Sequence, residues 1–184
     1  MVDVRPSIVI CDVDGTLCDV REIRYNVDPS QPGFSGVRDF ERFHSESLNA
    51  PSHGWVVDLV REVSLAGHIV AIVTAREERW SFLTTLWLAE HGVPYDEIHF
   101  RRDGDNRVDR SVKADILAQI QRRNDVVLAI DDSPSIVSLW RENAIPTAVV
   151  GENGLPAELD ANFGDFEEMP TRVRAFFHQR WGTN

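Results

Sequence analysis

Five short runs of mostly apolar and β-branched residues alternate with helical patterns along the chain: Ser7–Cys11, His68–Val73, Glu97–Phe100, Val126–Ile130 and Thr147–Val150. Most of them lack a strict apolar–polar alternation, which is the pattern of strands covered on both faces. Between them, helical periodicity predicts helices over Trp55–Ala66, Glu77–His91, Ser111–Arg122 and Pro134–Asn143. Gly67 and Gly92 follow two of these helices, where a left-handed cap is wanted. Strand–helix alternation of this kind predicts an α/β fold, a three-layer sandwich around a central parallel sheet with right-handed crossovers.

Two stretches break the rhythm. Residues 19–54 carry Pro29, Pro32, Gly33, Gly36, Pro51 and Gly54, and make a far longer connection than an ordinary strand-to-helix loop. This stretch is expected to be a small cap or lid insertion, with Phe34, Phe40 and Phe43 packing it onto something. Residues 151–170 hold six acidic side chains and no lysine or arginine, and read as a solvated linker. Thr171–Trp181 reads as a short amphipathic helix that docks back through Val173, Phe176, Phe177 and Trp181. One domain over residues 1–184 is expected, because 184 residues are marginal for two cores.

The first run, "SIVIC", ends in Asp12, Asp14 and Gly15. Like charges so close together on a buried strand cost several kcal/mol (of the order of 2–7 for one uncompensated polar group), so the pair needs a chemical reason. In open parallel sheets, ligands bind beyond the carboxyl ends of the strands. The polar signals fall at those ends: Asp12 and Asp14 after the first strand, Thr74 and Arg76 after the second, Asp131 and Asp132 after the fourth. Lys113 starts the helix that precedes the fourth strand. Several converging carboxylates need a cation, and oxygen ligands with room for water point to Mg²⁺. Carboxylates, a hydroxyl and a lysine around such an ion describe phosphoryl transfer. One aspartate attacks, and the second protonates the leaving oxygen and later activates water. Gly15 lets the backbone bend between them.

"DVDGTL" (Asp12–Leu17), "VTAR" (Val73–Arg76), Lys113 and "IDDSP" (Ile130–Pro134), in that order, resemble the four motifs of the haloacid dehalogenase superfamily of phosphatases. The resemblance implies that Asp12 forms an aspartyl-phosphate and that Asp14 is the general acid/base. Thr74 and Lys113 would bind the phosphate, and Asp131 and Asp132 would complete a Mg²⁺ site with Asp12 and the backbone carbonyl of Asp14. A narrower stretch, "RRDGDNRVDRSVKADIL" (Arg101–Leu117) followed by "LAIDDSPSIVSLWRENAI" (Leu128–Ile145), is similar to the 3′-phosphatase domain of bacteriophage-type polynucleotide kinases. That likeness implies removal of 3′-phosphates from nucleic acid ends in repair. Arg76, Arg107, Thr74 and Lys113 would then contact phosphate or strand, and Asp109 would orient an arginine. No GxxxxGK[ST] loop occurs in these residues. The 5′-kinase half of that family is thus missing from these residues, and whether a separate kinase or ligase acts with the chain stays open.

Bland alternatives bound this reading. Aspartates before a glycine also make turns and helix caps, and arginines interleaved with Asp103, Asp105 and Asp109 are often a solvated face. His44, His53, His68, His91 and His99 lack metal-ligand spacing and read as structural, while Trp87 and Trp140 read as core. A response-regulator receiver has a related residue set, but its acidic pair and phosphorylated aspartate lie on other strands and it lacks DxDGT. The net charge of −11 argues against coating nucleic acid by bulk electrostatics. It therefore keeps open a nucleotidase or another small-molecule phosphatase, and a non-catalytic module on the same fold is a third class. The apolar runs are too short to span a membrane, the start lacks a signal-peptide pattern, and two cysteines suit a reducing, cytosolic compartment.

Overall fold

The computed structural model describes residues 5–159, together with Ala175 and Gln179, both helical. Among the described residues, six strands form one sheet: β1 (Ser7–Cys11), β2 (Ile69–Glu77), β3 (Glu97–Arg101), β4 (Asp125–Asp131), β5 (Thr147–Val150) and β6 (Pro156–Leu159). Their order is β3-β2-β1-β4-β5-β6, parallel throughout except for the antiparallel β6. Among residues 5–159, five α-helices accompany them: α1 (Phe40–Ser47), α2 (Gly54–Leu65), α3 (Ser81–Glu90), α4 (Asp109–Ile120) and α5 (Pro134–Glu142).

The central strand shows why its sequence is apolar from Ile8 to Cys11. Val9 and Cys11 face one core with Ile72, Leu128 and Ile130, closed by Val56, Leu59, Val60 and Val63 of α2 and by Trp87 and Leu88 of α3. Ile8 and Ile10 face the other core with Ala71, Val73 and Ala129. That side is closed by Val112, Ile116, Leu117 and Ile120 of α4 and by Ile136, Leu139 and Trp140 of α5. A strand covered on both faces has no polar side to offer. The three-layer α/β architecture is thus as the sequence predicts, and Trp87 and Trp140 lie in the core.

Two expectations shift. The helix predicted to start at Glu77 starts at Ser81, after a 3₁₀ turn over Glu78–Trp80. The cause is pairing: β2 continues past its register irregularity to pair Glu77 with Arg101 of β3. Part of the predicted acidic linker is strand, because β6 hydrogen-bonds to the free edge of β5, and backbone pairing outweighs the charge of Glu158, which also reaches Arg141 at 2.9 Å. Residues 160–170 and the predicted helix Thr171–Trp181, apart from Ala175 and Gln179, lie outside the described residues.

The stretch 19–54 is fastened at its base by the Asp19 N–H to the Pro51 carbonyl at 2.8 Å and by a bridge between Cys18 and Ser52. It contains a 3₁₀ turn over Arg21–Asn26 and the unanticipated helix α1, whose first turn is capped by Asp39 accepting from the Arg42 N–H. Phe43 of α1 enters the first core beside Val20, Ala50 and Trp55. Asn26 ties the turn to α1 by donating to Glu46 at 2.8 Å.

Leu128 is fully buried in β4 at the centre of the first core. Leu128→Ala is expected to lower unfolding free energy by about 2–5 kcal/mol, with the slope of a urea titration unchanged.

Candidate active site

The carboxyl ends of β1, β2 and β4 and the start of α4 meet around a cleft of about 110 Å³. Asp12, Asp14, Thr74, Asp109, Lys113 and Asp132 are among its lining residues. Pockets for drug-sized ligands run to about 300–1,000 Å³, so this one suits a single small polar group and leaves the rest of any larger molecule outside.

Lys113 organises the floor. Its ammonium donates to Asp12 Oδ1 at 2.7 Å and to Asp131 Oδ2 at 2.9 Å, and the three side chains are almost wholly buried. Burial opposes its charge, but Asp12 and Asp131 outweigh that and raise its pKa above the ordinary lysine value. Asp12 is pushed well above the usual carboxylate range, by burial first and by Asp131 and Asp132 as well, against the pull of Lys113. Asp131 is anchored further by the Ser133 N–H at 3.0 Å and the Trp140 indole N–H at 3.3 Å.

Asp14 stands apart from that cluster. Its two oxygens take the Arg76 guanidinium, Nη2 at 2.6 Å and Nε at 2.9 Å. Burial alone would raise its pKa, but Arg76 outweighs burial and holds the carboxyl below its ordinary value. Arg76 also donates to Thr84 and Ser47, so each of these hydrogen bonds runs to a protein acceptor. Thr74 accepts the Arg76 backbone N–H at 3.2 Å and lines the cleft.

Asp132 receives Arg24 Nη2 at 2.9 Å and the Thr16 hydroxyl at 3.3 Å. Burial and then Asp131 raise its pKa, with Arg24 opposing. Arg24 comes from the 19–54 stretch and had no sequence signal, since nothing in a loop arginine tells which strand end it will reach. Gly15 has φ +86°, and a Cβ there would lie 2.1 Å from Asp132 Oδ2 and 2.8 Å from Arg24 Nη2. Glycine is thus required twice, by conformation and by space.

One oxygen from each of Asp12, Asp131 and Asp132 lies within 4.8 Å of the others. One ammonium and one guanidinium face these three carboxylates, so one negative charge is left over when all of these groups are ionised. Such a set of hard oxygens fits a divalent cation. The Asp14 carboxylate lies on Arg76 instead.

The other arginines are differently placed. Arg107 is exposed and ion-paired at 2.8 Å with both Asp105 and Asp115. Asp109 does hold an arginine, and it is Arg101. That buried side chain also donates to the carbonyls of Ala75, Asp105 and Arg107, and so frames the loop ahead of α4.

His44 of α1 is buried beside these groups, against the Trp80 ring at 5.0 Å. Burial, with Arg76 and Arg79 opposing its charge against Asp14 and Glu77, lowers its pKa from 6.5 to about 4. The fold therefore prefers the neutral imidazole. Its contribution is fully present above pH 6.5 and is lost as pH falls towards 4, at about 1.4 kcal/mol per pH unit. Urea titrations from pH 7 to 4 are expected to show that loss, and His44→Phe to flatten it.

Residues 6–154 match the family model described as the polynucleotide kinase PNKP phosphatase domain. Among solved structures, the chain is similar to one from a Pnkp1/Rnl/Hen1 complex at 26% identity and a TM-score of 0.67, over 82% of this chain and 47% of that one. A chain from the Pnkp1/Rnl/Hen1 RNA repair complex matches at 26% identity and a TM-score of 0.64, over 80% of this chain and 43% of that one. The chain thus spans about half the length of these relatives or less. A hydrolase of the haloacid dehalogenase-like family from Streptococcus pneumoniae shares the fold, at 17% identity and a TM-score of 0.53 over 96% of this chain and all of its own.

Proposed function

The chain belongs to the polynucleotide kinase PNKP phosphatase domain family, within the haloacid dehalogenase superfamily of phosphatases, and we propose that it is a Mg²⁺-dependent phosphomonoesterase that removes 3′-phosphates from nucleic acid ends. The observation that carries the reading is the division of the two aspartates: Asp12 on Lys113 at the floor of a phosphate-sized cleft, and Asp14 on Arg76 at its wall. Asp12 is the nucleophile. Its carboxylate oxygen forms a bond to phosphorus as the bond from phosphorus to the substrate oxygen breaks, leaving an aspartyl-phosphate. Thr74 and Lys113 hold the phosphoryl oxygens. Asp14 gives a proton to the departing alkoxide, then takes one from water as that water attacks phosphorus. Phosphate leaves, the Asp12 carboxylate is restored, and the proton taken from water serves the next leaving group. Asp12, Asp131 and Asp132, with the Asp14 carbonyl, would hold Mg²⁺, which there supplies charge neutralisation beside the phosphoryl oxygens.

The narrow cleft supports a substrate that presents only its phosphate and keeps its chain outside, as a nucleic acid end does. The relatives named in an RNA repair complex support an end-healing role, in which a separate kinase or ligase would act on the same ends. The reduced cysteines Cys11 and Cys18, both buried, suit work in the cytosol. A second reading, a nucleotidase, is favoured by the net charge of −11 and by Arg107, whose guanidinium would reach a strand only by leaving Asp105 and Asp115.

The test is phosphate release with Mg²⁺ from 3′- and 5′-phosphorylated oligonucleotides and the matching mononucleotides. Preference for the 3′-phosphorylated oligonucleotide, falling with added salt, is the expected result, and preference for mononucleotides would move the enzyme to the second reading. Asp12→Asn is expected to abolish turnover in a chain that still folds. Arg107→Ala is expected to slow the oligonucleotide more than a generic phosphate ester, and equal losses would remove Arg107 from strand binding.

A further inference from the structure

Asp14 is only as well placed as the guanidinium that holds it, and that guanidinium is completed from outside the α/β layers. Arg76 has 2% of its side chain exposed. Beyond Asp14, its Nη1 donates to Thr84 Oγ1 of α3 and its Nη2 to Ser47 Oγ of α1, each at 3.1 Å. Both hydroxyls are buried, and both have already spent their own proton. Ser47 Oγ donates to the His44 carbonyl at 2.8 Å, and Thr84 Oγ1 donates to the Trp80 carbonyl at 3.0 Å. With the hydroxyl hydrogens fixed on backbone carbonyls, each oxygen can only accept from Arg76. The guanidinium is therefore clamped on three sides, by the carboxylate it serves and by two helices.

The two clamps are not equivalent. Thr84 belongs to α3, on the layer that packs against the sheet. Ser47 is the last residue of α1, and α1 belongs to the stretch that also sends Arg24 to Asp132. A buried guanidinium N–H without an acceptor costs more than an ordinary hydrogen bond is worth. Seating α1 and orienting Arg76 are thus one event.

On the reading that Asp12 is nucleophile and Asp14 acid/base, we infer that Ser47 is a positioning residue for proton transfer: through Arg76 it sets the Asp14 carboxylate, and so couples the docking of the 19–54 stretch to the acid/base step. When α1 is seated, Asp14 is aimed; when α1 is displaced, Arg76 loses an acceptor and its grip on Asp14 slackens.

Leaving-group chemistry separates this role from a merely structural one. A 3′-phosphorylated oligonucleotide expels an alkoxide that needs a proton, whereas 4-nitrophenyl phosphate expels a phenolate that does not. In single-turnover reactions with Mg²⁺, Ser47→Ala is expected to slow cleavage of the oligonucleotide by roughly ten- to a hundredfold while the burst of 4-nitrophenolate stays within about twofold of the unaltered protein. Ser47→Thr, which keeps the hydroxyl, should restore the oligonucleotide rate. Thr84→Ala and Thr84→Ser repeat the comparison from the other clamp and supply the test if Ser47→Ala does not fold. Equal losses on the two substrates, or no loss on either, overturn the inference. Asp14→Asn is the reference: if it shows the leaving-group split and the clamp variants do not, only the positioning role fails. If Asp14→Asn slows both bursts alike, the acid/base reading beneath it fails.

Discussion

The buried ammonium of Lys113 between Asp12 and Asp131 is the interaction on which the rest of the site depends. It joins the end of β1, the first turns of α4 and the end of β4 through charged groups that are almost wholly buried. Two carboxylates in that position without a cation would repel each other with little water to screen them, and a lysine alone there would give up its proton. Together they are tolerated, and the surplus negative charge, carried with Asp132, is what makes the floor of the cleft fit a further cation.

Much of this architecture was legible in the sequence because the sheet is buried on both faces. Runs such as Ser7–Cys11 and Thr147–Val150 carry a polar residue only at their first position and are apolar from there on. The sequence was less informative where pairing partners decide. Nothing local says that Thr74–Glu77 stays extended, since the reason is Arg101 on another strand. Pro156–Leu159 reads as linker until the open edge of β5 is placed beside it. The motif residues Asp12, Asp14, Thr74 and Lys113 could be read as one site because each sits at a strand end or helix start whose position the fold class fixes.

Arginines were the hardest to read, for a physical reason. A guanidinium reaches far from its backbone and takes whatever carboxylates lie in range, so Arg76, Arg101, Arg107 and Arg24 have four different sets of partners that their spacing does not reveal. Arg101 supports a loop and Arg76 holds an aspartate. Ser47 and Thr84, which decide how Arg76 lies, carry no motif at all.

The antiparallel β6 has a consequence for behaviour in crowded solution. A parallel sheet ending at β5 would leave a row of unpaired backbone groups, which is a template for strand addition. β6 occupies that row, is only four residues long, begins with Pro156, which has no N–H to offer, and carries Glu158 paired to Arg141. At the opposite edge, β3 is five residues long and carries Glu97, which is within reach of Arg123 and His99. Short, charged outer strands make poor seeds for sheet fusion, so the fold can be held close to other proteins, or to copies of itself, without its edges zipping together.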